Sequence, residues 1–184
     1  MQRDLVEQAQ RGDHDAFAIL AGATVGRLDA AARLILHDPE LAKDAVQDAY
    51  VRAWRDLPTL RDPDRFDAWL HRIVVRSCLN AARHRRRRPI EIELLPASHP
   101  MTADSAVELA DRDELERGFR RLEPDQRAVV VLHYFLGYPL PEAADVLGVP
   151  IGTAKSRLHR AIQILRGAVD ADSRLTAAPE GRRA

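Results

Sequence analysis

Ile151, Ala154, Leu158, Ile162, Leu165 and Val169 recur at steps of 3, 4, 4, 3 and 4. That spacing places all six on one side of a helix. The same stretch, "LGVPIGTAKSRLHRA", then has to turn Thr153, Lys155, Ser156, Arg157, His159 and Arg160 outward. Just before it, "YPLPEAADVLG" predicts a short helix closed by Gly148, with Pro141 tolerable in its first turn. A short helix, a glycine turn and a longer helix form a helix-turn-helix, which sets its second helix in the DNA major groove. Short Thr and Ser side chains there suit phosphate or base edges. Lys155, Arg157 and Arg160 supply charge for phosphates, or an Arg for guanine, and His159 can stack or donate.

Helical spacing dominates the rest of the chain as well, and period-two alternation is rare. A first long helix is predicted from near Asp15 to "HDPE", where Asp38 caps and Pro39 opens the next. In that next helix Ala42, Ala45, Val46, Ala49, Tyr50, Ala53, Trp54 and Leu57 form an apolar stripe. "LPTLRDPDR" breaks the pattern as a loop. A further helix begins near Phe66. Its apolar side starts with Phe66, Trp69, Leu70, Ile73 and Val74; Arg72, Arg76, Asn80, Arg83 and Arg87 share another face. The run "RHRRRR" at 83–88 exceeds what a helix dipole needs and points to phosphate binding. Aromatic rings beside arginines suit unpaired bases, although Phe66 and Trp69 also fit a core.

Residues 89–104 are rich in proline and hold no sustained periodicity, so they predict a flexible linker. Their "IEIEL" alternates like a strand but has no partner strand. Helices resume near Ser105, over 106–122 and from "EPDQ" to Gly137, and a disordered tail is expected over 170–184. The fold class is therefore all-α: two small helical domains, 1–88 and 105–169, joined by a linker, the second a helix-turn-helix domain.

Totals of 28 basic and 28 acidic residues cancel, but their distribution does not. Residues 1–90 carry 16 Lys/Arg against 13 Asp/Glu, 91–126 carry 4 against 10, and 127–169 carry 5 against 2. Two basic blocks thus flank an acidic joint. The single cysteine, Cys78, fits a reducing compartment and, on an apolar helical stretch, a buried inert thiol. No apolar run is long enough to span a bilayer, no signal peptide opens the chain, and a cytoplasmic protein without membrane insertion is expected. The seven histidines have no ligand spacing, and there is no glycine-rich phosphate loop; neither a metal, a cofactor nor a catalytic residue is expected.

Three segments, "AKDAVQDAYVRAW", "FDAWLHRIVVRSCLNAARHRRR" and "LGVPIGTAKSRLHRA", resemble bacterial RNA polymerase sigma factors of the small extracytoplasmic-function (ECF) group. The resemblance covers roughly residues 5–168 in order and spacing. It implies a factor without catalytic activity that lends promoter specificity to core RNA polymerase. By position, Asp44, Gln47, Asp48, Val51, Arg52 and Arg55 match the polymerase-docking helix. The loop from Pro58 to Arg65 matches the loop that holds a flipped base of the minus-10 element. Arg65, Phe66, Trp69, Arg72, Arg76, Asn80 and Arg83 would face promoter DNA there, as duplex and as melted non-template strand. Thr153, Lys155, Ser156, Arg157, His159 and Arg160 match the helix reading the minus-35 element. The linker would thread toward the RNA exit path, and an anti-sigma protein covering both lobes is an expected partner.

Two departures stand out. The flipped-base loop often holds a Gly in the family and here reads "TLRDPDRF"; position 162, often basic, is Ile162. Two other functions fit parts of the pattern: a helix-turn-helix regulator that never docks on polymerase, and a sigma-like decoy for an anti-sigma protein. The first has no use for the 44–55 face, the second none for the basic face at 153–160.

Overall fold

The computed structural model describes residues 1–87 and 115–176, with side chains through Ala168, and every element among them is helical. The first is α1 (Gln2–Gln10), which the sequence reading missed. Gly12, at φ 96°, lets the chain turn, and the Asp13 carboxylate accepts from the backbone N–H groups of Asp15 and Ala16 to start α2 (His14–Leu36). Asp38 caps α3 (Pro39–Asp56) through the Leu41 N–H at 2.9 Å. Two 3₁₀ turns, Leu57–Thr59 and Pro63–Arg65, make up most of the loop before α4 (Phe66–Arg87).

The first lobe packs α1, α3 and α4 around α2. Ala42, Ala45, Val46, Ala49 and Ala53 are buried as their stripe predicts, while Tyr50 and Trp54 lie half-buried at its edge. Small residues let α3 approach its neighbours closely, and Trp54 stacks on His14 at 4.4 Å.

In the second lobe the described part of α5 covers 115–121, and α6 (Pro124–Val130) passes into a π-helical turn, Val131–Phe135. That turn shifts the register by one residue. It leaves Tyr134 63% exposed and ends at Gly137, φ 80°. Next come α7 (Leu140–Leu147), Gly148 and α8 (Ile151–Thr176), the expected helix-turn-helix. Helix α8 continues past Val169, where the sequence reading placed a tail, because neither Gly nor Pro interrupts "DADSRLT". Residues 88–114, which hold the expected linker 89–104 with "IEIEL" and the start of the helix expected over 106–122, and residues 177–184 lie outside the described residues.

The lobes are not separate. Helices α2 and α4 pack on α6 and α7, and the buried apolar residues of both lobes form one continuous cluster.

Candidate nucleic-acid interface

On α8 the apolar side runs through Ala154, Leu158 and Ala161, all buried, with Ile162 and Leu165 half-buried. Lys155, Ser156, His159 and Arg160 are exposed, as the spacing requires, and Thr153 and Arg157 are half-buried. Ile151, expected at the head of the apolar stripe, is instead 40% exposed, because it occupies the first turn beyond the reach of the core. Arg157 lies 3.5 Å from Asp125 at the start of α6, which fixes its stem toward the lobe. Ser156 Oγ donates to the Thr153 carbonyl at 3.0 Å. Gly148 takes the left-handed conformation, φ 69°, that ends α7. A Cβ there would also come within 2.9 Å of the Arg76 guanidinium.

On α3, Asp44, Gln47, Asp48, Val51, Arg52 and Arg55 are all exposed, and Val51 keeps 65% of its surface. Arg55 pairs with its neighbour Asp56 at 2.8 Å, and among the described residues no ion pair joins Asp48 to Arg52. This face is a strip of mixed charge around an exposed valine.

The third group divides. Arg65 is exposed and Trp69 half-buried, but Phe66 is 1% exposed. Phe66 is therefore core and not a base-stacking ring: it is the first apolar residue of α4 and packs inward, 6.0 Å from Trp69. Arg72 donates to the Asp145 carbonyl at 2.7 Å, at the C-terminal end of α7. Arg83 donates to Asn80 Oδ1 at 2.6 Å and to the Leu79 carbonyl at 3.2 Å. Of the basic run, Arg85 pairs with Asp38 at 2.5 Å and Arg86 with Glu123. Arg72 and Arg86 of α4 thus turn to the second lobe, while Arg83 and Arg85 bond within the first.

Three guanidinium groups repeat one device across the lobe contact. Each caps carbonyls at the C-terminal end of a helix in the other lobe, where backbone acceptors have capacity to spare and the dipole favours a cation. Arg72 caps α7, as above. Arg27 of α2 donates to the Phe135 and Leu136 carbonyls at 3.1 and 3.3 Å. Arg127 of α6, only 8% exposed, donates from Nε to the Ile35 carbonyl at 2.6 Å and from Nη1 to its own lobe's Phe119 carbonyl at 3.4 Å. Burial works against the Arg127 charge, and Glu123 supports it. At the centre, His71 Nδ1 and the Tyr138 hydroxyl lie 2.6 Å apart. Burial pushes His71 below the usual imidazole range, Asp67 opposes this, and Arg27 adds to it. His133 Nδ1 donates to the Tyr138 carbonyl at 2.8 Å, steadying that ring.

Helix α1 holds the loop before α4. Gln10 Nε2 donates to the Leu60 carbonyl at 2.7 Å and the Leu57 carbonyl at 3.2 Å. Arg3 pairs with Asp64 at 2.9 Å, and Gln2 donates to Asp67 at 2.8 Å.

Cys78 is buried, and burial pushes its thiol up to about 12. Since the thiolate is the reactive form, iodoacetamide is expected to alkylate the native protein at least ~100-fold more slowly than the urea-unfolded chain. Equal rates, followed by mass spectrometry, would put the thiol at the surface. Among the described residues no group of His, Cys, Asp and Glu could hold a metal ion, and no helix is long and apolar enough to cross a membrane.

Comparison with known proteins locates these faces in two family segments. Residues 20–88 match sigma-70 region 2, and residues 112–165 match sigma-70 region 4. The RNA polymerase sigma-H factor of Pseudomonas aeruginosa is 31% identical over 171 residues, covering 86% of this chain and 89% of that protein. The ECF RNA polymerase sigma factor SigM of Mycobacterium tuberculosis is 37% identical over 150 residues, 82% of this chain and 75% of that one. Among solved structures, CnrH in complex with the cytosolic domain of CnrY superimposes with a TM-score of 0.67 at 33% identity, covering 93% of this chain and 98% of that one. The sigma factor RpoE of Bartonella quintana, in complex with the anti-sigma factor NepR, gives a TM-score of 0.67 at 27% identity, covering 85% and 98%.

Proposed function

Because the chain belongs to the sigma-70 family, in the ECF group of bacterial RNA polymerase sigma factors, we propose that it docks on core RNA polymerase through α3 and directs it to promoters that α8 and α4 read. The family's members are transcription initiation factors rather than enzymes. The observation that carries the reading is the pairing of two exposed faces on one chain. A mixed-charge strip on α3 lies within the region 2 match, and a basic strip on α8 lies within the region 4 match. A regulator acting on duplex DNA alone has no work for the first, and a decoy has none for the second.

In this reading Lys155, Arg157 and Arg160 contact minus-35 phosphates and base edges, with Thr153, Ser156 and His159 between them. Arg65, Trp69, Arg72, Arg76, Asn80 and Arg83 serve the minus-10 element. Arg72 is held by the Asp145 carbonyl and Arg76 lies under Gly148, so the lobes must part before the α4 face meets DNA. The closed form leaves α8 uncovered. A partner that binds both lobes in this form acts as an anti-sigma protein, and the likeness to RpoE with NepR supports expecting one. Such a factor works in the cytoplasm.

The test is transcription from sheared chromosomal DNA of the source bacterium by sigma-free core polymerase, with sequencing of the RNA 5′ ends. Start sites that appear only with the protein, preceded by two shared motifs, are the expected result. Their absence, together with failure to co-elute with core polymerase, would refute the reading. Asp48→Arg reverses a charge in the middle of the α3 strip and is expected to weaken co-elution with core polymerase at least ~30-fold, about 2 kcal/mol. Circular dichroism should stay unchanged, since Asp48 is exposed and makes no ion pair with Arg52.

A further inference from the structure

The loop that this reading assigns to a minus-10 base has no glycine and only one short internal turn at each end. Leu60 N donates to the Leu57 carbonyl at 3.0 Å, Thr59 Oγ1 donates to the Asp56 carbonyl at 2.6 Å, and the Asp62 carboxylate accepts from the Asp64 N–H at 3.1 Å. Nothing in the loop itself ties its first turn to its second. Helix α1 does so from outside. Arg3 and Gln10 stand seven residues, two turns, apart on one face of α1, with Val6 fully buried between them. Gln10 grips the carbonyls at both ends of the first turn, and Arg3 reaches Asp64 in the second. Leu57 is fully buried, which anchors the near end. The far side of the loop, with Pro58, Thr59, Arg61 and Asp62, stays exposed.

We propose that Gln10 is a positioning residue for promoter recognition: it fixes the 57–60 turn so that the exposed side of the loop presents one shape to an unstacked base, and Arg3 does the same for the 63–65 turn. The inference rests on the minus-10 assignment of the loop given above. The physical ground is preorganisation. A base lifted from the stack is selected by a pocket of set shape, and a pocket lined by a loop of two unlinked turns selects poorly unless something holds the turns. The Gln10 amide is suited to this because its NH₂ carries two donors, one for each carbonyl. A glutamate of the same size has no donor when ionised and sets a charge against both carbonyls. A lysine can still donate to both.

The experiment is chromosomal run-off transcription with core polymerase and full-length protein, comparing wild type with Gln10→Glu, Gln10→Lys and Arg3→Ala. With Gln10→Glu, the most selective minus-10 position is expected to lose its preference for the favoured base at least about fivefold. The minus-35 motif, co-elution with polymerase and the melting temperature of α-helical signal should hold. Gln10→Lys is expected to keep the wild-type preference, and the exposed Arg3→Ala, which does not threaten folding, to relax it about twofold. A minus-10 motif equally sharp in Gln10→Glu and Arg3→Ala would overturn the proposal while leaving the sigma-factor reading intact. Equal loss at minus-10 and minus-35, or a Gln10→Lys variant as relaxed as Gln10→Glu, would also overturn it, marking Gln10 as structural support only. Absence of any factor-dependent start site with wild type would refute the assignment of the loop, and the proposal with it.

Discussion

Lys155→Glu combined with Arg160→Glu is expected to remove factor-dependent transcripts and leave co-elution with core polymerase unchanged. Both side chains are exposed on α8, and among the described residues neither makes a hydrogen bond or ion pair. Their loss therefore costs no packing, and the fold should melt as before. On DNA each cation that meets a phosphate contributes a charge-assisted bond and releases a counterion. Reversal replaces both attractions by repulsions. Binding of holoenzyme to a promoter fragment should weaken at least ~100-fold, about 2.7 kcal/mol or more, and its slope against log salt should fall by about two. Arg157→Glu would be a poorer test, because Arg157 already faces Asp125 across 3.5 Å and its reversal would disturb the lobe as well. Unchanged promoter binding by the double variant would move minus-35 reading off α8. Together with Asp48→Arg, the double variant separates docking from reading: Asp48→Arg should weaken polymerase binding alone, the double variant DNA binding alone.

The α7–turn–α8 unit was legible because its signals agree. The 3-and-4 spacing of Ala154, Leu158, Ile162 and Leu165 fixes the buried side, and Gly148 marks a left-handed cap. The α3 face was legible for the same reason: alanines every three or four residues leave one place for Asp44, Gln47, Asp48 and Arg52. Phe66 was not, because an aromatic ring beside arginines has the same sequence pattern in a core as in a base-stacking site, and only burial separates the two. Helix α1 was overlooked since it is short, but Leu5, Val6 and Ala9 did carry a helical step, and Gly12-Asp13 a stop and a cap. The lobe contact had no pattern to find. Arg27, Arg72 and Arg127 look like any solvated arginine in a sequence. Their partners are carbonyl oxygens, which every residue has, so the information lies in which helix ends the fold brings near them. The π turn before Gly137 is of the same kind: it sets Tyr138 over His71, and no local propensity announces it.

The lobe contact supplies the other large expected effect. Arg127→Met keeps the length and apolar stem of the side chain but strips the donors from the Ile35 and Phe119 carbonyls. A bond from a charged donor to a buried carbonyl is worth about 1.5–3 kcal/mol, and the stranded acceptor adds to the loss, so closure should weaken by ~3 kcal/mol, a factor of about 150. Dyes on Gln8→Cys and Gln163→Cys, both exposed positions, would report the separation by energy transfer, since Cys78 is buried and slow to label. Transfer should be high in the parent and fall in Arg127→Met. His71 adds a pH step. The groups around it are Arg27 from α2, Asp67 from its own helix, and Tyr138, with Glu142 beyond, from the second lobe. Closed, His71 is held below its ordinary value of 6.5, mainly by burial; opening relieves the part of that burial that Tyr138 and the second lobe supply, so the value rises back toward the ordinary one. The open form therefore binds the proton more readily. Closure is fully supported above about pH 6.5 and is lost progressively as pH falls toward the closed-state value. Energy transfer should decline on acidification from pH 7.5 to 5.5, and His71→Gln, which cannot take up the proton, should flatten that decline. A decline of the same size in His71→Gln would assign the step to other groups. High transfer in Arg127→Met would show that the apolar contact alone keeps the lobes together, and Arg72 would then be freed for DNA only by a partner that competes for that apolar surface.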